Sequence, residues 1–335
     1  MGNAMGDTVA RWRCRGASCG YIAATFTSAA HDMTPAPRPA PALKPLRGVR
    51  VLSLALNLPG PAAFMRLKAM GATCIKAEPP GPRGSPAGTS GDPMGQYNAT
   101  AYATLHQGIK VITLDLKSDK GQTALHKALE RTDVLLTSFR PSALAKLQLG
   151  WKALHKRHPA LSVVAIVGAP GQRAEEPGHD LTYLADAGLV TGLDLPATLF
   201  ADMGGALMAS EAVLKAVLAQ KAAGKGSFQE VALSDAAAWL ALPRGWGLTQ
   251  SGGAVGGAHA GYRVYPCKDG RVAVAALEPH FAAALCAAAG VPVTGPRTLF
   301  EPQTHATIAA FLSGQTRREL DRLASDRDIP LHTLV

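Results

Sequence analysis

Three acid/base residues stand far apart in the chain: His179 in Gly178-His179-Asp180-Leu181-Thr182-Tyr183, Asp202 in Phe200-Ala201-Asp202-Met203-Gly204-Gly205, and Glu278 in Ala276-Leu277-Glu278-Pro279. An imidazole and a carboxylate that converge from separate loops on one carbon can take a proton from one face and return it on the other, provided each titrates near the working pH. That is the chemistry of a racemase. Each residue also has a plainer role open to it. His179 could be a capping or solvated histidine, Asp202 suits the N-cap of the helical pattern that follows it, and Glu278 could open a helix before Pro279. Cap and catalyst are compatible.

From Gly48 onward, short β-branched runs alternate with amphipathic helical patterns, the signature of parallel βαβ units. Residues 50–55 (RVLSLA), 73–77 (TCIKA), 110–114 (KVITL), 133–138 (DVLLTS) and 161–167 (LSVVAIV) read as strands. Helical patterns fall at 61–70, 121–131, 141–147 and 151–157. Ligands of such sheets gather at the carboxyl ends of the strands, so the loops 57–60, 78–91 and 139–141 are candidate contacts. A long helical pattern over 203–222 sets Leu207, Leu214, Val217 and Leu218 on one face as a spine helix ending at Gly224. Residues 228–233 then read as a strand leading into a helix over 234–242. A hairpin is expected over 262–276, turning at Lys268-Asp269-Gly270, with helices at 280–289 and 305–324. The expected organisation is a leader at 1–45, with Met33 as an alternative start, a large α/β domain at 46–242, a linker at 243–258 and a small α+β domain at 259–335.

The chain has 335 residues, 47% of them apolar and 17% charged, enough for one large core or two modest ones. Its net charge of +10 is diffuse, with Lys and Arg singly or in pairs, and only 5% of residues are aromatic. A basic stripe with stacking residues for a nucleic-acid strand is therefore not expected. A polyphosphate ligand accounts for the charge, and so does a basic surface that aids solubility. No apolar run approaches the roughly 18 residues of a membrane span. The five cysteines are scattered without metal-ligand spacing, which argues for a reducing, cytoplasmic setting and against a disulfide framework or a metal site. A Gly-x-Gly-x-x-Gly fingerprint and a Walker loop are both missing, so NAD and ATP are unsupported.

Several blocks occur in an order that resembles the family III CoA-transferases, the carnitine-dehydratase and bile-acid-inducible (CaiB/BaiF) proteins. They are Pro45-Leu46-Arg47-Gly48-Val49-Arg50-Val51-Leu52, Leu58-Pro59-Gly60-Pro61, Gly71-Ala72-Thr73-Cys74-Ile75-Lys76-Ala77-Glu78-Pro79-Pro80, Thr113-Leu114-Asp115-Leu116-Lys117 and Ser138-Phe139-Arg140-Pro141. Together they cover about residues 46–289. His179 with Asp180, Asp202 and Leu277-Glu278-Pro279 look like the α-methylacyl-CoA racemase branch. The resemblance implies a Rossmann-like large domain plus a smaller α+β domain in an interlocked homodimer. It implies an acyl-CoA thioester substrate, and no cofactor beyond the coenzyme A of that substrate. It also implies that His179 and Asp202 are the acid/base groups, that Glu278 supports the His from the partner chain, and that the backbone N–H of Asp180 holds the thioester oxygen as it becomes an enolate. A helix N-terminus offers unpaired donors and a favourable dipole for that oxygen.

In the transferase branch the equivalent of Asp202 is a nucleophile that carries acyl and CoA groups covalently, a reaction with no need for His179. A non-catalytic CoA-binding relative is a third reading. The cations expected to meet CoA are Lys76 and Arg140, and more weakly Arg83 and Lys110. Two blocks depart from the family pattern: His106-Gln107-Gly108-Ile109-Lys110 replaces a more basic run, and Gly168-Ala169-Pro170-Gly171-Gln172 lacks the usual aromatic residue. Weaker CoA binding and an altered acyl preference are expected from these.

Overall fold

The computed structural model describes residues 43–86 and 89–335; the expected leader lies almost wholly outside them. Six strands, β1 (Arg50–Ser53), β2 (Thr73–Glu78), β3 (Lys110–Thr113), β4 (Val134–Thr137), β5 (Ser162–Val167) and β6 (Phe228–Ala232), form one parallel sheet in the order β3-β2-β1-β4-β5-β6. This is the doubly wound arrangement, with the reversal of strand order between β1 and β4.

Successive side chains of a strand point to opposite faces, and the core divides accordingly. Val51, Leu136, Val164 and Ile166 pack on one face with helices Pro59–Ala69 and Phe200–Ala223. Leu52, Leu135 and Val163 pack on the other with Leu125, Leu129, Leu144 and Leu154, from helices Asp119–Leu129, Pro141–Lys146 and Trp151–Arg157. Both faces are covered, which is why these strands read as near-continuous apolar runs.

The long helix Phe200–Ala223 corrects one expectation. Its inward face is made of small residues, Ala201, Gly205, Ala209, Ala212 and Ala216, together with Val213 and Val217, while Leu207 and Leu218 are 51% and 67% exposed. Gly205 lies against the Leu233 side chain, in space a Cβ would need. The small residues let the helix approach the sheet closely; Leu207 and Leu218 fall outside that contact, while Leu214 packs against it partly buried, as expected. The helix ends on Gly224 in the left-handed region, φ +68°, a C-terminal stop that glycine adopts without penalty.

Contacts divide the chain into two compact units, the first reaching Tyr183 and taking up Ala197–Ala236, the second comprising Leu184–Pro196 and Ala237–Val335. The boundary thus falls inside helix Leu233–Gly245 rather than in the expected linker at 243–258. In the second unit, β7 (Tyr262–Cys267) and β8 (Gly270–Ala275) form the expected hairpin, and β9 (Leu331–Leu334) adds to β8 antiparallel. Val272, Val274, Leu285, Ile308, Leu312 and Leu320 build its core. The helix expected over 305–324 is two helices, Pro302–Ser313 and Arg317–Arg327. Gly314 ends the first, and Thr316 opens the second with a capping box to Glu319, which satisfies otherwise orphaned N–H groups on both sides. No helix among the described residues is long and apolar enough to cross a membrane.

Candidate active site

Asp202 lies in the first turn of helix Phe200–Ala223, whose N-cap, Leu199, gives no side-chain cap. The missing cap comes from elsewhere in the chain: Oδ1 of the buried Asp180 accepts the backbone N–H of Asp202 at 2.9 Å. Asp180 itself begins helix Asp180–Asp186. His179, just before that helix and exposed, donates its backbone N–H to Thr182 Oγ1 at 3.1 Å, and Thr182 Oγ1 donates back to the His179 carbonyl at 2.7 Å. The two helix starts are thereby tied together, with His179 on one and Asp202 on the other.

Both side chains line one cleft of about 170 Å³ at the carboxyl ends of β1, β4 and β5, together with Asn57, Ser138, Arg140, Glu176 and Tyr183. Burial pushes the Asp202 carboxyl up to about 6; the negative Asp180 alongside adds to the rise and His179 opposes it. A carboxyl group in that range can both give and take a proton near neutrality. Tyr183 is raised by burial and by Asp202, so its hydroxyl stays protonated and can donate. Gly168 and Gly178 make room for its ring, since a Cβ on either would run into the Tyr183 side chain.

The cleft belongs to a series. Phe139 separates it from an apolar slot of about 120 Å³ lined by Leu54, Ala77, Pro79, Leu114 and Leu147. Leu116, Lys117 and Leu147 are shared between that slot and a broad basin of about 830 Å³, which also carries Lys146, Arg157 and His126. Among the described residues, Lys117, Lys146 and Arg157 take part in no ion pair. Lys117 lies in the matched Leu-Asp-Leu-Lys block, so a signal for it was present in the sequence. Lys146 and Arg157 carried none beyond charge, and Tyr183 none beyond its place next to Gly178-His179-Asp180.

The other residues singled out by sequence are placed differently. Arg140 lines the cleft as expected of a strand-end turn. Lys76 does not reach solvent: its side chain is 1% exposed and meets Asp92, Glu78 and His106, so it is not available to a phosphate. Lys110 opens β3, in register with Ile75, about 10 Å from the carboxyl edge where ligands gather. Neither it nor Arg83, which is exposed in the loop after β2, lines any of these cavities. Glu278 lies in the second unit, exposed, at the N-cap position of helix Pro279–Ala289, where its carboxylate makes no cap bond. Among the described residues no cluster of three metal-ligating side chains occurs.

Ligands of a doubly wound sheet gather at the carboxyl ends of its strands, and the cleft at that edge brings His179 and Asp202 together with a helix N-terminus. The family model for CoA-transferase family III matches residues 46–334, and the chain belongs to that family. It is 33% identical over 207 residues to a probable fatty acyl-CoA transferase, Rv3272, of Mycobacterium tuberculosis, covering 59% of this chain and 52% of that one. It is 30% identical over 264 residues to mouse alpha-methylacyl-CoA racemase, covering 73% and 65%. The chain thus spans from about half to just under two thirds of these relatives' length. A crystal structure of Rv3272 superposes with a TM-score of 0.73 at 25% identity, over 87% of this chain and 85% of that one. The resemblance to acyl-CoA enzymes implied by the sequence blocks is therefore secured at the level of family.

Proposed function

We propose that the chain is a racemase or epimerase of 2-methylacyl-CoA thioesters. For one enantiomer the His179 imidazole takes the α-proton, and the C–H electron pair passes into an enolate. The backbone N–H of Asp180 stabilises the enolate oxygen, and the protonated Asp202 carboxyl delivers a proton to the opposite face. For the mirror image Asp202 is the base and His179 the acid. The observation that carries this reading is the Asp202 carboxyl, held at about 6 in the cleft it shares with His179. The series of cavities suits the thioester's long handle: adenine in the apolar slot behind Phe139, phosphates toward Lys117, Lys146 and Arg157, and the reacting end at Arg140 and His179. No further cofactor is required.

A CoA-transferase working through a covalent Asp202 intermediate is the second reading. It is favoured by relatives such as human succinyl-CoA:glutarate CoA-transferase, 27% identical over 302 residues. The family resemblance implies that Glu278 supports His179 from a neighbouring copy, and we propose a homodimer accordingly, cytoplasmic in setting. The exposed Phe200, Met203 and Leu207 on one helix supply apolar surface for such an interface. Proton NMR of a 2-methylacyl-CoA incubated in D2O tests the activity. Enzyme-dependent α-deuterium with inversion supports the racemase. CoA moving to an added carboxylate, with no α-exchange and no need for His179, establishes the transferase instead.

A further inference from the structure

The Lys76 ammonium has three hydrogens and three acceptors: the Asp92 carboxylate, Glu78 Oε2 at 3.4 Å and His106 Nε2 at 2.9 Å. His106 Nδ1 meets the Tyr102 carbonyl at 2.7 Å, which puts the ring hydrogen on Nδ1 and leaves Nε2 to accept. Burial, and then the charge of Lys76, hold His106 below its ordinary value, consistent with that neutral tautomer. Glu78 Oε2 also accepts the Tyr102 hydroxyl at 3.0 Å. Lys76, Glu78, Tyr102 and His106 are thus linked in one cluster, and Asp92, itself fully buried, has its Oδ1 left to use outward.

That oxygen, Oδ1, accepts the backbone N–H of Met94 at 2.9 Å and of Asn57 at 3.0 Å. Asn57 lines the cleft with His179 and Asp202 and sits in the left-handed region at φ +62°, a conformation that Asn tolerates better than most non-glycine residues. The preceding N–H, of Leu56, is held by Ser138 Oγ at 3.2 Å. Two consecutive amides of this turn are therefore gripped by side chains, one from the end of β4 and one from the buried cluster.

We propose that Lys76 and Asp92 are positioning residues of the cleft: their buried ion pair fixes the Asp92 carboxylate, which in turn holds the Asn57 turn beside His179 and Asp202. This rests on the acyl-CoA reading of the cleft. A buried pair can cost as much in desolvation as it returns in attraction, so its value here lies in placement, and the placed element is a wall of the active site.

The test uses the full chain as Lys76→Met and as the double variant Lys76→Met/Asp92→Asn. The double variant removes both charges but keeps an amide oxygen to accept from Asn57 and Met94. Hydrogen exchange across residues 54–60 is measured beside α-deuterium incorporation per folded molecule, well below each melting temperature. Lys76→Met is expected to speed exchange at the Asn57 amide by about tenfold or more. It is also expected to lower kcat by about tenfold with little change in KM, because a small misplacement of the site is costly. The double variant should recover most of both. Exchange over 54–60 or kcat per folded molecule that stays at the wild-type value in Lys76→Met, or a double variant no nearer wild type than Lys76→Met, overturns the proposal. A wild-type chain inert toward acyl-CoA would sink the functional reading, while the exchange arm would still decide the anchor. If Lys76→Met does not fold, Lys76→Met/Asp92→Ala, which removes the pair together with the acceptor for the Asn57 and Met94 amides, takes its place, with the same expected losses beside Lys76→Met/Asp92→Asn.

Discussion

Asp180 and Asp202, 22 residues apart, are joined by a single bond in which the Asp180 carboxylate accepts the Asp202 backbone N–H at 2.9 Å. One residue thus presents a backbone N–H at one helix start and, through its side chain, seats Asp202 at another. It also places a negative charge next to the Asp202 carboxyl and so contributes to its rise to about 6.

Asp180→Asn keeps an oxygen for that N–H and removes the charge. The acidic limb of the pH–rate profile, in the direction where Asp202 is the base, should then move from about 6 toward the ordinary aspartate range. Asp180→Ala removes the cap as well, and should cost about 1–2 kcal/mol in unfolding experiments.

Asp202 itself should make stability depend on pH in an unusual direction. Its folded value of about 6 lies above the model value of 3.8, so the folded chain binds the proton more tightly than the unfolded one. The penalty is absent below about pH 4, where both states are protonated. It grows as pH rises and is complete above about 6, on the order of 2 kcal/mol once the favourable helix N-terminus is allowed for. Asp202→Asn should therefore melt higher than wild type at pH 8 and equally at pH 4; a gain of the same size at both would contradict the assignment.

The packing of Tyr183 makes a third prediction. Gly168→Ala puts a methyl where the Tyr183 hydroxyl lies, an overpacking worth about 1–3 kcal/mol. Combining it with Tyr183→Phe should restore much of that loss. Simple additivity of the two changes would show that the pair is not in contact.

The sheet was legible because each strand is a short β-branched run ended by a turn, and because burial on both faces leaves little polar interruption. The place of Arg140 in a strand-end turn that lines the cleft was legible for the same reason. Lys76 was misjudged because the partners that bury it, Asp92 and His106, are 16 and 30 residues away. A lysine on a strand carries no local mark of the company it keeps. The inward face of Phe200–Ala223 was misjudged for a different reason. Leucines mark a core face only where helix and sheet stand a leucine apart, and here alanine and glycine bring them closer. The capping role of the Asp180 side chain had no local signature either, because the donor belongs to another helix.

The most direct test of the central claim, that His179 and Asp202 serve opposite faces of one α-carbon, uses each pure enantiomer of a 2-methylacyl-CoA with Asp202→Asn in D2O. The two-base account predicts that racemisation is lost while one enantiomer, the one His179 deprotonates, still takes up α-deuterium without inverting, and its mirror image does not. His179→Ala should reverse that preference. Racemisation that survives Asp202→Asn, or exchange lost equally from both enantiomers in each variant, would contradict it.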